Sequence, residues 1–156
     1  MARGPIVVGV DGTQSSWDAL DFAVKEASKE RAEDGLDLLV VHVSRLPWAM
    51  SSDTVAPVSA AVEEVARETE DEAKRRLQGA SVTWRWVRRT GDTARELVRV
   101  ADEQQARAIA VGGHKHGALT AALVRSVDSS LVHMYCGTLF IVRPDVRALS
   151  EPALPG

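Results

Sequence analysis

A chain of 156 residues can bury one sizeable core but is too short for two ordinary domains, and 45% apolar with 26% charged residues excludes a disordered tail or a fibre. Its 19 basic and 22 acidic residues are interspersed and leave a net charge of -3, so no global field exists to hold a nucleic acid or an anionic membrane. Cys136 is the single cysteine, which rules out an internal disulfide and argues against a cysteine zinc site; it is expected as a small buried residue before a strand rather than a reactive thiol.

The first element is Ile6-Val7-Val8-Gly9-Val10, a run of β-branched residues suited to a strand buried on both faces, as in a parallel sheet. Met1 to Pro5 runs into it with no apolar signal core, and no stretch reaches the length of a membrane span, so a cytoplasmic chain is the expectation. After the turn Asp11-Gly12-Thr13, the spacing of Trp17, Leu20, Val24 and Ala27 predicts an amphipathic helix capped by Ser15 or Ser16. Gly35 is a natural helix stop, and Leu36 to Val43 repeats the strand pattern.

Residues 44 to 57 carry Pro47, Pro57, Ser51 and Ser52 without a period and read as a long surface loop, with Trp48 and Met50 covering the core or lidding a cleft. From Val58 to Leu77 an apolar stripe of Val58, Val62, Val65, Thr69, Ala73 and Leu77 predicts a helix, its charged residues forming a solvated face. Val82, Trp84 and Trp86 alternate with Thr83 and Arg85, as an edge strand does.

Gly91-Asp92-Thr93 opens a helix with Ala94, Leu97, Val98 and Ala101 inward. Arg107 to Val111 is a fourth strand, Val127, Leu131 and Met134 mark a further helix, and Gly137 to Val142 a fifth strand; residues 144 to 156, with three prolines, read as a flexible tail. Alternation of strands and helices implies an α/β fold: a five-stranded parallel sheet, doubly wound and flavodoxin-like, spanning residues 5 to 143. In such sheets ligands sit beyond the carboxyl ends of the strands where strand order reverses, which directs attention to the turns after the first and fourth strands.

Asp11 ends the first strand, where its carboxylate can accept hydrogen bonds from a base or ribose, or fold back into an Asx turn or cap; the two roles are compatible. The segment Val111-Gly112-Gly113-His114-Lys115-His116-Gly117 follows the fourth strand and leads to Arg125-Ser126 and a helix. Glycines there let backbone approach an anion, a helix N-terminus favours phosphate, and Lys115 and Arg125 can add charge, although a plain connecting loop has the same composition. The spacing is neither that of a Walker loop nor that of the dinucleotide fingerprint. His114 and His116 stand two apart in a loop without an acidic neighbour, and His42 and His133 lie elsewhere, so no metal site is expected.

Taken together, residues 6 to 13, Leu39 to Val43, Gly91-Asp92 and Val111-Gly112-Gly113-His114 leading to Ser126-Val127 resemble the universal stress protein family over residues 5 to 143. The ATP-binding branch of that family carries Gly, two residues, Gly, nine residues, then Gly and Ser or Thr. Gly112 fills the first position and Ser126 the last, while Lys115 and Arg125 stand where the other two glycines belong. The resemblance implies that Asp11 contacts the adenosine end and Val43 walls the base. Gly112, Gly113, Ser126 and Val127 would present donors to phosphates.

Lys115 and Arg125 would either crowd a triphosphate or neutralise it. The expected ligand is thus ATP or another adenine nucleotide, bound weakly or in altered form as a regulatory ligand, with Mg2+ if a triphosphate binds. The resemblance also implies a homodimer through Thr138-Leu139-Phe140-Ile141-Val142, acting with protein partners that the sequence does not name. A non-nucleotide dimeric interaction module of the same fold is the alternative. No paired carboxylates, activated serine or ligand cluster stand out, so an enzyme is not expected.

Overall fold

The structure is a computed structural model, and it describes residues 3–45, 52–113 and 127–143, without the side chains of residues 52–56. Five strands alternate with four helices: β1 (Ile6–Gly9), α1 (Gln14–Lys29), β2 (Leu38–Ser44), α2 (Ser52–Leu77), β3 (Trp84–Thr90), α3 (Thr93–Glu103), β4 (Ala108–Gly112), α4 (Val127–Met134) and β5 (Thr138–Val142). All pairings are parallel and the order is β3-β2-β1-β4-β5. The chain therefore builds outward from β1 in one direction, then returns to its other side. The reversal falls between β1 and β4, and the loops that follow these strands leave the same edge of the sheet.

The period of two divides each central strand between two cores. Ile6, Val8, Leu38 and Val40 face α1 and α2, whereas Val7, Leu39, Val41 and Ile109 face α3 and α4. Burial on both faces is what turns these strands into continuous apolar runs. On β4 the residues facing α1 are Ala108 and Ala110, and α1 itself carries buried Ala19, Ala23 and Ala27 at four-residue spacing. Helix and strand with small facing residues pack closely, and α1 lies against β4.

Several local expectations change. Thr13, not Ser15 or Ser16, caps α1: its side chain accepts the Ser16 N–H. Gly12, at φ +87, makes the turn that brings the threonine into place. The stretch expected as a loop to Pro57 is already helical from Ser52. Pro57 removes one backbone hydrogen bond with little more than one turn ahead of it, so the long helix behind it persists.

The inner stripe of α2 is Ala66, Thr69, Ala73 and Leu77, while Val65 is 50% exposed. A 26-residue helix is about 39 Å long and a seven-residue strand about 23 Å. The helix is thus longer than the strands it crosses, and Val58, Val62 and Val65 lie along a groove with His42, Val43, Ser44 and Arg45 at the end of β2. Cys136 is exposed rather than buried, because it stands in the connection from α4 to β5, outside both cores. The edge position of β3 is as expected. Residues 144–156, Trp48 and Met50 lie outside the described residues.

The amino ends of the strands are tied by one carboxylate. Asp37, 1% exposed, accepts the N–H of Ala32 at 2.9 Å and of Thr83 at 2.8 Å, and pairs with Arg31 at 2.8 Å. Burial pushes its pKa up, but the Thr83 and Ala32 N–H groups and the Arg31 guanidinium together hold it below the usual carboxylate value. One side chain thus joins the α1–β2 turn to the start of β3.

Candidate functional site

A cavity of about 230 Å³ opens at the carboxyl ends of β2, β1 and β4. Its floor is apolar: Gly9 and Val10 of the central strand with Val41 and Val111 on either side. Thr93 and Leu97 of α3 close one face, and a Cβ on Gly9 would approach Leu97 Cδ1 to 3.0 Å. Val43 and Arg45 stand at the β2 flank, and Gly112 and Val127 at the β4 flank. The polar rim between them is the turn Asp11 to Ser16.

That rim is a closed hydrogen-bond ring. Asp11 Oδ1 accepts the Thr13 N–H at 2.9 Å and the Thr13 hydroxyl at 2.6 Å. The Thr13 hydroxyl in turn accepts the Ser16 N–H at 3.3 Å. Ser16 Oγ donates to the Thr13 carbonyl at 2.8 Å and accepts the Asp11 N–H at 3.3 Å. Because the only hydroxyl proton of Thr13 goes to the carboxylate, the 3.4 Å contact between Thr13 Oγ1 and Ser15 Oγ has Ser15 as donor. Asp11 is exposed, and among the described residues its Oδ2 has no partner. It makes the Asx turn and still presents an acceptor to the cavity.

Gly112 has a second reason for being glycine. A Cβ there would lie 2.4 Å from the Ser15 carbonyl oxygen, so Gly112 continues the row of Ala108 and Ala110 beneath α1. Gly113 is outside the cavity lining: its N–H donates to the Val142 carbonyl at 2.8 Å, and Arg143 and Ile141 fill the space a side chain would need. Of the residues singled out from sequence, Asp11, Val43, Gly112 and Val127 meet at one cavity. Lys115, Arg125, Ser126, His114 and His116 lie outside the described residues.

Arg45 carries no motif in the sequence, and Thr13, Ser15, Ser16 and Thr93 are legible there only as turn, cap or helix opening. Arg45 is exposed, lines the cavity, and has no ion pair or hydrogen bond among the described residues. Its signal was positional: it follows β2 directly, at the carboxyl end of a strand beside the reversal point. His42 takes the face of β2 opposite Val43. It is buried and stacks on Trp86 at 6.2 Å, and its Nδ1 lies 2.9 Å from the Val10 carbonyl. A carbonyl only accepts, so Nδ1 carries the proton. Among the described residues no group of three or more His, Cys, Asp or Glu is placed to hold a metal ion.

The family model described as the universal stress protein family matches residues 3–142. The chain belongs to the universal stress protein family. A universal stress protein of Mycolicibacterium smegmatis is 28% identical over 155 residues, 96% of this chain and 51% of that protein. The chain thus spans about half the length of the curated relative it matches.

Two solved structures of the family share the fold. A universal stress protein in complex with cAMP has a TM-score of 0.64 at 24% identity, covering 92% of this chain and 98% of that one. The universal stress protein from Archaeoglobus fulgidus in complex with dAMP has a TM-score of 0.61 at 20% identity, covering 90% and 98%. Among the described residues no helix is long and apolar enough to cross a membrane.

Proposed function

We propose that this chain is a cytoplasmic stress-response protein that binds an adenine nucleotide as a regulatory ligand in the cleft at the ends of β2, β1 and β4. The observation that carries the reading is the meeting of Asp11, Val43, Gly112 and Val127 at one cavity where strand order reverses. Family members of the same fold holding cAMP and dAMP support it. At about 230 Å³ the cavity is smaller than a typical ligand pocket of about 300 Å³ or more, which suits base and sugar with the phosphates outside.

The order of the flanks fits a nucleotide laid across the strand ends. The base packs on Val43, the sugar lies over Asp11, and the phosphates extend past Gly112 and Val127. Lys115 and Arg125, standing where the ATP-binding branch has glycine, make ATP binding weak or altered in this reading. If a triphosphate binds, Mg2+ accompanies its phosphate oxygens. We propose binding and not catalysis: among the described lining residues Asp11 is the sole carboxylate, and one of its oxygens is already engaged. Calorimetric titration with AMP, cAMP and ATP, with and without magnesium, tests the reading; no heat and no thermal shift at millimolar ligand defeats it.

One observation favours a second reading, a dimeric interaction module. β5 lies at the sheet edge and its residues Leu139 to Val142 are only partly buried. An apolar edge strand of this kind is one that a soluble monomer avoids leaving bare. Pairing through Thr138–Val142 covers it, and protein partners then engage the dimer. Light scattering at micromolar concentration tests the pairing, and a strict monomer contradicts it.

A further inference from the structure

The rim of the cleft carries information about which sugars it accepts, given the nucleotide reading proposed above. β1 lies between β2 and β4, with about 4.8 Å between neighbouring strands. In a nucleotide the sugar lies between base and phosphate. A ligand with its base on Val43 and its phosphate past Gly112 therefore brings its sugar over the end of β1, where Asp11 stands.

A carboxylate grips a vicinal diol by giving one oxygen to each hydroxyl. Asp11 lacks that capacity. Both lone pairs of Oδ1 are engaged, by the Thr13 N–H at 2.9 Å and the Thr13 hydroxyl at 2.6 Å. The hydroxyl cannot turn away at no loss, since it also caps α1 through the Ser16 N–H. Only Oδ2 remains for a ligand.

We infer that Asp11 meets the sugar with one oxygen, which a single hydroxyl satisfies and two hydroxyls must share, so that the site accepts ribose, 2′-deoxyribose and 3′-deoxyribose nucleotides nearly alike. Thr13 is the positioning residue that imposes this tolerance by holding Oδ1. The ligand class is a nucleotide with at least one free hydroxyl at C2′ or C3′. Loss of one hydroxyl leaves the other to pivot onto Oδ2; loss of both leaves a carboxylate oxygen facing the ligand without a donor.

The test is calorimetry on the full chain with AMP, 2′-deoxy-AMP, 3′-deoxy-AMP and 2′,3′-dideoxy-AMP. The two monodeoxy forms are expected within about threefold of AMP, and the dideoxy form at least about tenfold weaker. A tenfold loss on removing either single hydroxyl overturns the inference, because it means a diol grip. Dideoxy-AMP binding as well as AMP also overturns it, by taking Asp11 off the sugar. Absence of binding by AMP itself defeats the nucleotide reading and this inference with it.

The role of Thr13 has its own readout in Thr13→Val, with folding checked by circular dichroism. The backbone N–H of residue 13 stays on Oδ1, but loss of the hydroxyl frees its second lone pair for a sugar hydroxyl, which raises the preference for AMP over 2′-deoxy-AMP to about fivefold or more, and Thr13→Ser restores the even preference. A ratio unchanged in Thr13→Val reduces Thr13 to a helix cap and overturns its positioning role.

Discussion

Gly112 and Ser15 are in such close approach that a methyl group on the glycine would sit 2.4 Å from the serine carbonyl oxygen. Gly112→Ala therefore forces α1 away from β4. The expected cost is about 1–3 kcal/mol of stability, as for other overpacked core positions. Urea unfolding measures it; a variant as stable as the parent contradicts the packing role. Ligand affinity falls with it, since Ser15 and Gly112 border the same cavity.

Asp37 ties the amino ends of the strands, away from the cleft. Its lowered pKa means that the ionised form favours the folded state. The contribution is complete above the unfolded carboxyl value and is lost as pH falls through that value toward the folded one. Asp37→Asn replaces the acceptor pair with one acceptor and one donor facing N–H groups, and is expected to cost roughly 2–4 kcal/mol at pH 7. The gap between parent and variant narrows below about pH 4. A gap that stays constant from pH 7 to pH 3 in denaturant titrations contradicts the assignment.

Arg45 gives the opposite pattern. With no partner among the described residues it supports no contact in the fold, so Arg45→Ala should change stability by no more than about 0.5 kcal/mol. Nucleotide affinity should drop severalfold, because the guanidinium stands beside the base-side residue Val43. Equal affinity in parent and variant excludes Arg45 from ligand contact.

These residues also separate what a sequence displays from what it conceals. β1, β2 and β4 were legible because burial on both faces demands nearly continuous apolar runs, and β3 because Trp84 and Trp86 flank Arg85 with the alternation of an edge strand. The start of α2 was hidden by Pro57, since proline punctuation outweighs the helical pattern that continues through it. The N-cap was ambiguous because Thr13, Ser15 and Ser16 all carry hydroxyls, and only the turn at Gly12 decides which one reaches an unpaired N–H.

For the site, Asp11 was legible as a strand-end carboxylate and Val43 through the family pattern. Gly112 was legible as a glycine and not for its packing against Ser15, which is a tertiary fact. Arg45 carried no motif. Its place in the cleft follows from its position just past the carboxyl end of β2.

The edge strand supplies a further expectation. If two chains pair through β5, Ile141→Lys places a charge in the seam, and light scattering should report a monomer where the parent is a dimer. A parent that is already monomeric at micromolar concentration contradicts the pairing.

The central claim is that the cleft around Asp11 binds an adenine nucleotide. Its most direct measurement is calorimetric titration of AMP into the full chain and into Asp11→Ala. Saturable binding to the parent and a loss of at least about tenfold in the variant are expected, from removal of a charged acceptor. No heat from the parent at millimolar AMP, or the same affinity in both proteins, would contradict it.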